Sequence, residues 1–301
     1  MPKKIGFLGL GNMGSVMAKH LVSTSYSVTG YDPDKKALAA AVRNGVRPAA
    51  SEAEAVSRAD VVCSSLPTTE AVRSAFLGGG GALDAMRRGA VCFEHSTIEV
   101  GIALEICAAG KKKGVPFLDA PIAGSVSSLE RKDVATMVGG ERQAFEAHRD
   151  VLEAYIGKIT YMGKSGNGLY MKLVTNHIYF SQLAALAEGL AFGKKAGLDP
   201  QGMVEFLKRT FVTNQLSDKG DAMARRDYTP AAELRVITKD LLISSKEANR
   251  IGAAAPLGTA ARQQFVAAEA LGHFKNDTGS VYESYLQAMG EKPKRGKKPT
   301  R

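Results

Sequence analysis

The chain has 301 residues, of which 45% are hydrophobic, so it is long enough for about two domains with sizeable cores. No apolar stretch approaches the roughly 18 residues that cross a bilayer, and the first predicted strand begins too near Met1 for a signal peptide. The three cysteines lack the paired spacing of metal ligands, which indicates buried thiols in a reducing compartment. We therefore expect a cytoplasmic protein without a metal site, a membrane partner or a disulfide framework.

The formal net charge of +10 is concentrated at the end of the chain. Residues 291–301 carry six positive charges and one negative charge, which supplies half of the excess. This segment has two prolines, one glycine and no large apolar residue, so we expect a disordered basic tail. A basic tail can bind nucleic acid, but the rest of the chain lacks zinc or stacked-aromatic patterns, and we expect a solvated tail without that partner.

The first elements of the chain predict a dinucleotide-binding unit. An apolar strand over 5–8 runs directly into the glycine motif Gly9-x-Gly11-x-x-Gly14, and a helix follows over 15–21. A second strand over 26–31 ends at Asp32, 18 positions past the last glycine. A glycine motif in this strand–helix context, with an acidic residue at this spacing, is much more specific than the motif alone.

Each residue of this unit has a physical role in binding a dinucleotide. Gly9 allows the tight turn, Gly11 lets the pyrophosphate approach the backbone, and Gly14 lets the helix pack closely on the strand. The N–H groups at the start of the helix face the phosphates. Asp32 can accept hydrogen bonds from the adenosine ribose and would repel a 2′-phosphate, so we expect NAD, with NADP as the alternative because two lysines follow closely.

Strands and helices continue to alternate up to about residue 163, which predicts an α/β fold with a doubly wound, Rossmann-like sheet over residues 1–163. The chain then becomes helical, with one long central helix and an all-helical domain over 164–290, ahead of the tail at 291–301. The predicted strands lie near 46 and over 60–66, 90–94, 116–119, 134–138 and 159–162. The predicted helices lie over 34–44, 51–59, 70–76, 100–113, 168–195, 201–209, 231–250, 256–271 and 281–288.

Three later segments are candidates for the chemistry at the carboxyl edge of the sheet. In the loop 119–125, the N–H groups around Gly124 and the hydroxyl of Ser125 can hold a carboxylate, although an ordinary strand-to-helix turn has the same composition. Lys172 and Asn176 share one face of the long helix. A desolvated lysine can move the hydroxyl proton of an alcohol while a nicotinamide takes the hydride; the alternative is a solvated lysine. Lys239, in a later helix, is either a cofactor contact or a surface residue.

In this order and spacing, these segments resemble the motifs of the β-hydroxyacid dehydrogenase family, which includes 3-hydroxyisobutyrate, tartronate semialdehyde and 6-phosphogluconate dehydrogenases. The resemblance covers about residues 3–290 and rests on the segments 6–14, 119–125, 137–140, 166–176 and 239–241. It implies that Lys172 is the general acid/base and that Asn176 binds the substrate. The loop residues Gly124 and Ser125 remain candidate substrate contacts from their own chemistry. The cofactor contacts implied by the fingerprint and the resemblance are Gly9, Gly11, Asn12, Met13, Gly14, Asp32, Leu66, Pro67, Ser96, Thr97 and Lys239.

Three positions depart from the family pattern and bear on the substrate. Ala123 stands where the family usually has serine, Ser125 where it often has glycine, and His177 where it often has a second asparagine. The resemblance implies an oxidoreductase acting on a small 3-hydroxy acid or its semialdehyde. An imine reductase and a non-catalytic binding module are the alternatives, and Lys172 counts against both. The apolar surface of the helical domain also predicts a homodimer or homotetramer.

Overall fold

The protein is represented by a computed structural model that describes residues 3–210 and 219–296. These residues form two compact units, which divide between Lys172 and Leu173. One long helix, Asn167–Lys195, crosses that division without a break. The predicted boundary at 163/164 concerns the same region and stays a prediction.

The first unit is built on a nine-stranded sheet with the order β3-β2-β1-β4-β5-β6-β8-β7, in which β9 pairs with β8. The strands β1 to β6 are parallel, and β8 runs antiparallel to both β6 and β7. The predicted doubly wound fold is confirmed. The strands are Lys4–Leu8 (β1), Ser27–Tyr31 (β2), Arg47–Pro48 (β3), Val61–Ser64 (β4), Val91–Glu94 (β5), Phe117–Asp119 (β6), Ile122–Ala123 (β7), Ala135–Gly139 (β8) and Lys158–Gly163 (β9).

Helices cover both faces of this sheet, so its central strands are buried throughout and read as apolar runs in the sequence. The largest side chains of the core include Phe7, Phe93 and Phe145. The helices are Asn12–Ser23 (α1), Lys35–Arg43 (α2), Glu52–Val56 (α3), Thr69–Leu77 (α4), Ala82–Ala85 (α5), Val100–Lys113 (α6), Val126–Glu130 (α7), Arg142–Glu153 (α8) and the long Asn167–Lys195 (α9).

The second unit is all helical, as predicted. Its core packs Leu183 and Leu190 of α9 against Leu234, Phe265 and Tyr282 from the later helices. The further helices are Pro200–Leu207 (α10), Asp221–Arg225 (α11), Leu234–Arg250 (α12), Pro256–Ala270 (α13), a 3-10 turn at Thr278–Val281, and Tyr282–Ala288 (α14). Within the described ranges, no helix is long and apolar enough to cross a membrane.

Four elements of the first unit were not predicted, and one of them is the four-residue helix α5. Another is the helix α8, which buries Phe145 and Leu152 on one face. The strand β7 is only two residues long and forms because it pairs with β8, with Ile122 opposite Thr136. The helix α7 is five residues long, which is too short for a 3.6-residue period to be recognised.

The described part of the predicted tail, residues 291–296, is held by hydrogen bonds and differs from the expected disorder. The Lys294 N–H donates to Glu283 Oε2 at 2.6 Å, and Lys294 Nζ donates to the carbonyl of Arg226 at 3.0 Å. The carbonyl of Lys294 lies 2.6 Å from His273 Nε2. The rest of the predicted tail, 297–301, lies outside the described residues.

Glu283 is the buried centre of this anchoring cluster. Its side chain is 0% exposed and accepts hydrogen bonds from Arg226 Nε at 2.8 Å, from Arg226 Nη2 and from Tyr228 Oη at 2.5 Å. A buried carboxylate without donors is costly, and these contacts, with that of the Lys294 N–H, offset this cost. The cluster therefore couples the end of the described chain to the core of the second unit.

We expect Glu283→Gln to destabilise the second unit by about 3 kcal/mol, because it leaves the Arg226 charge without its partner. Urea denaturation measures this loss, and trypsin should then cleave faster at the lysines of 291–296. The control, Glu205→Gln, breaks an exposed ion pair with Lys208 and should cost less than about 1 kcal/mol. Equal effects of the two substitutions would contradict the central role of Glu283.

Candidate active site

The glycine motif forms the turn between β1 and α1. Gly9 has φ +84°, and a Cβ there would overlap the carbonyl of Ser65. A Cβ on Gly14 would overlap the carbonyl of Gly9, so this glycine allows the close packing of helix on strand. Gly11 is different, since no atom lies within 4 Å of the place where its Cβ would be. The space beside Gly11 is therefore open to a ligand, as a pyrophosphate cradle requires.

The first turn of α1 borders that open space. The helix begins at Asn12 directly after Gly11, and no side chain caps it. The backbone N–H groups of Asn12 and Met13 have no partner within the helix by virtue of their position, so they are available to an anion. These features fit the phosphates of a dinucleotide.

Asp32 is fixed at the end of β2, beside the glycine turn. Its Oδ2 accepts from the Leu10 N–H at 2.6 Å, and its Oδ1 accepts from the Asp34 N–H at 2.8 Å. Each carboxylate oxygen has a second lone pair, so Asp32 retains capacity for the hydroxyls of a ribose. The two backbone bonds hold the carboxylate in place before any ligand arrives.

The loops after β4 and β5, which contain the predicted contacts Leu66, Pro67, Ser96 and Thr97, are joined by a hydrogen bond. The Leu66 N–H donates to Ser96 Oγ at 2.7 Å. Below them lies Glu94, the last residue of β5, which sequence analysis did not single out. Its Oε1 accepts from the Ser96 N–H at 2.7 Å, and its Oε2 accepts from the Ser64 hydroxyl. The sequence contained a signal for Glu94, because the apolar run that predicts β5 ends on an acidic residue.

Asp119, at the end of β6, fixes the start of α9. Its side chain is buried, with Oδ1 accepting from the Gly166 N–H at 2.7 Å and Oδ2 from the Leu169 N–H at 2.9 Å. Burial raises the pKa of Asp119 to about 6, against the lowering effect of these backbone hydrogen bonds, so the group is ionised at neutral pH and above. Sequence analysis placed Asp119 only at the start of a loop.

Two glycines make room for the Asp119 carboxylate. A Cβ on Gly139 would lie 2.8 Å from both carboxylate oxygens, and one on Gly168 would overlap the carbonyl of Met137. The segments 119–125, 137–140 and 166–176 therefore meet at one side chain. Their spacing in the sequence reflects a single packing requirement at the base of α9.

The helix α9 places Lys172 three residues after Leu169 and Asn176 one turn beyond Lys172. Lys172 is half-buried and Asn176 is buried. In the second unit, Asn176 Nδ2 donates to Asp240 Oδ2 at 2.8 Å, and Lys239 Nζ lies 3.0 Å from Asp240 Oδ1. Asp240 thus brings two of the predicted site residues together and fixes the orientation of the Asn176 amide.

Of the two residues predicted to bind the substrate carboxylate, Ser125 is engaged in a helix cap and Gly124 is exposed. Ser125 caps α7, where its Oγ accepts from the Ser128 N–H at 3.2 Å and lies 2.9 Å from Ser127 Oγ. Gly124 is exposed with φ +151°, and a Cβ there would overlap Val134. The Ser125 hydroxyl is therefore engaged in a local cap, and its role toward a substrate stays a prediction. Among the described residues, no three His, Cys, Asp or Glu side chains are grouped as a metal site requires.

Comparison with known proteins covers both units. Residues 4–163 match the sequence profile described as the NAD binding domain of 6-phosphogluconate dehydrogenase, and residues 166–285 match that described as NAD-binding of NADP-dependent 3-hydroxyisobutyrate dehydrogenase. A probable 3-hydroxyisobutyrate dehydrogenase of Mycobacterium tuberculosis is 34% identical over 85% of this chain and 88% of its own length. An NAD-dependent L-serine dehydrogenase of Pseudomonas aeruginosa is 29% identical over 96% of this chain and 100% of its own length.

Solved structures of dehydrogenases and reductases also match this chain over most of its length. The structure of M. tuberculosis 3-hydroxyisobutyrate dehydrogenase with L-serine has a TM-score of 0.84 and 33% identity, and the match covers 94% of this chain and 98% of that chain. An imine reductase from a Pseudomonas species has a TM-score of 0.62 at 20% identity, over 94% of this chain and 99% of that chain. At that identity the likeness is one of fold alone.

We expect Asp119→Ala to destabilise the first unit by about 2–4 kcal/mol, because the buried N–H groups of Gly166 and Leu169 lose both acceptors. Asp119→Asn keeps one acceptor and should give an intermediate loss. Urea denaturation measures both. Asp133→Ala, which breaks an exposed ion pair with Lys158, is the matched control and should change the free energy of unfolding by less than about 1 kcal/mol. A loss no larger than that of the control would contradict this role of Asp119.

Proposed function

The chain belongs to the β-hydroxyacid dehydrogenase family, and we propose that its substrate is a small 3-hydroxy acid or the corresponding semialdehyde. As a member of this family, it is a hydroxyacid dehydrogenase that uses a nicotinamide dinucleotide. The observation that carries the proposal is the placement of Lys172. The Asp119 carboxylate, at the carboxyl edge of the sheet, holds the N–H groups at the start of α9, and Lys172 follows about one turn later on that helix.

The chemistry of the relatives supports this substrate class. L-Serine and 3-hydroxyisobutyrate, which appear in the names of the matched proteins, both carry a hydroxyl on the carbon next to the α-carbon of a carboxylic acid. The family therefore supports a β-hydroxy acid, whereas the departures at Ala123, Ser125 and His177 leave its side chain to experiment. The proposal also includes a cytoplasmic location. It further includes a homodimer or homotetramer, which is supported by exposed apolar residues such as Phe192 and Leu257.

The glycine turn and Asp32 would hold the dinucleotide, whose nicotinamide would supply the hydride acceptor for oxidation of the alcohol and the hydride donor for reduction of the carbonyl. Lys172 takes the hydroxyl proton in the oxidation and donates it in the reduction, so that one hydride and one proton leave or enter the substrate together. Asn176, whose Nδ2 donates to Asp240, has in its Oδ1 an acceptor for a substrate hydroxyl or amine. The backbone N–H groups near Gly124 hold the substrate carboxylate.

We expect NADH to be preferred over NADPH by about tenfold or more in kcat/KM, because Asp32 would face the 2′-phosphate and like charges in contact cost several kcal/mol. Steady-state kinetics with both cofactors measures this ratio. Asp32→Ala should reduce the ratio, and Asp34→Ala, at the cap of α2, should leave it within a few-fold of the wild type. A preference for NADPH in the wild type would overturn the assignment of NAD.

We expect Lys172→Ala to lower kcat by about 10²–10⁴-fold, the usual contribution of a general acid/base. The affinity for NADH, measured by fluorescence titration, should change little because the glycine turn and Asp32 hold the adenosine half. Lys164→Ala removes an exposed lysine from the turn before α9 and serves as the control. Turnover by Lys172→Ala within a few-fold of the wild type would show that another group moves the proton.

A further inference from the structure

Glu94 is a buried carboxyl group without a cationic partner. Its side chain is 0% exposed, and it accepts hydrogen bonds from the hydroxyl of Ser64, the last residue of β4, and from the Ser96 N–H at 2.7 Å in the loop after β5. Within residues 3–210 and 219–296, no lysine or arginine forms an ion pair with it. A negative charge at this place is therefore stabilised by dipoles only, and a nearby positive charge would stabilise it further.

The position of Glu94 in the sheet indicates where such a charge would come from. The glycine turn follows β1 and Asp32 follows β2, so the adenosine half of the dinucleotide belongs on that side of the point where the strand order reverses. The nicotinamide half then belongs on the other side, over β4 and β5. Ser64 ends β4 and Glu94 ends β5, directly opposite each other in the register.

The two redox forms of the cofactor differ in charge in that half. The nicotinamide ring of NAD⁺ is positive and that of NADH is neutral, so a fixed anion beneath the ring distinguishes them. We propose that Glu94 sets the relative affinity of the enzyme for oxidised and reduced dinucleotide, favouring NAD⁺ when its carboxyl group is ionised. The inference rests on the proposed dehydrogenase function. It adds Glu94 as a residue whose charge acts on the nicotinamide ring without contact with solvent.

Ionisation of Glu94 takes place in the neutral range. Burial raises its pKa to about 7, and the hydrogen bonds from Ser64 and Ser96 keep it from rising further. The titratable groups around it do not neutralise it. Burial raises the pKa of Cys63, in β4, to about 12 and that of Cys92, in β5, well above its ordinary value, so both thiols are neutral.

The other neighbours of Glu94 are His95 and Asp119. Burial lowers the pKa of His95 to about 4, so its imidazole is neutral, with Nδ1 2.7 Å from the carbonyl of Ala120 and Nε2 2.8 Å from Tyr155 Oη. Asp119 lies opposite Glu94 in the register of β6 and is ionised above about pH 6. The pKa of Glu94 is raised further than that of Asp119, and the Glu94→Gln variant separates the contribution of Glu94 to the pH dependence from that of Asp119.

The test is the ratio of the dissociation constants of NADH and NAD⁺, measured by fluorescence titration and calorimetry between about pH 6 and pH 8.5. In the wild type the ratio should rise with pH through about 7, by about three- to tenfold, as Glu94 loses its proton. In Glu94→Gln the ratio should be low and independent of pH, because the amide keeps the volume of the side chain and an acceptor for the Ser96 N–H. Glu94→Asp should restore part of the pH dependence.

A second variant distinguishes electrostatics from packing. Ser64→Ala removes a donor that stabilises the ionised form, so the rise in the ratio should move to higher pH while its size is retained. Glu105→Gln, an exposed carboxyl on α6, should keep the wild-type profile. A purely structural role for Glu94 would weaken both nucleotides equally and leave the ratio unchanged, and that result would overturn the proposal.

The outcomes also separate this inference from the proposed function. If the wild type binds both nucleotides with a ratio that does not change with pH, or if Glu94→Gln behaves like the wild type, the assignment of Glu94 is wrong and the dehydrogenase function stands. If the wild type binds neither nucleotide, both proposals are wrong.

Discussion

The carboxyl edge of the parallel sheet requires acceptors for the backbone N–H groups of the loops that leave it, and acidic side chains supply them. Asp32, Glu94 and Asp119 stand at or just after the ends of β2, β5 and β6 and accept from the N–H groups of Leu10, Ser96, Gly166 and Leu169 among others. A carboxylate is suited to this because it only accepts hydrogen bonds. Asp32 holds the glycine turn, Glu94 holds the loop after β5 to the end of β4, and Asp119 holds the start of α9, the helix that bears Lys172.

The glycines near these carboxylates follow from the same constraint. Gly139 and Gly168 are needed because the Asp119 carboxylate and the backbone of two segments occupy the volume that a Cβ would take. Gly11 has the opposite surroundings, since the volume beside it is empty. Glycine is therefore required for two different reasons. At Gly139 and Gly168 the protein itself fills the volume of a Cβ, whereas at Gly11 that volume is open.

The sequence was sufficient to predict the fold class, the glycine turn and the long helix, because each has a strong local signal. Apolar runs that end at turn residues predict buried strands, and an alanine-rich stretch without proline predicts a long helix. The roles of Glu94 and Asp119 were not predicted, because they depend on which strands become neighbours. The cap formed by Ser125 was missed for a related reason: α7 is too short to have a recognisable period, so its first residue read as part of a loop.

The helix α9 crosses the division between the units without a break, and this has a consequence for how the protein can change during evolution. An α-helix turns by about 100° per residue, so an insertion or deletion of one residue between Lys172 and Asn176 would rotate them onto different faces. If Lys172 and Asn176 act on one substrate as proposed, the length of this segment is constrained, whereas single substitutions on its exposed side, at Met171, Val174 or Ile178, leave the spacing of the two residues intact. A change of substrate specificity in this part of the helix would then come from replacement of side chains and not from a change of length.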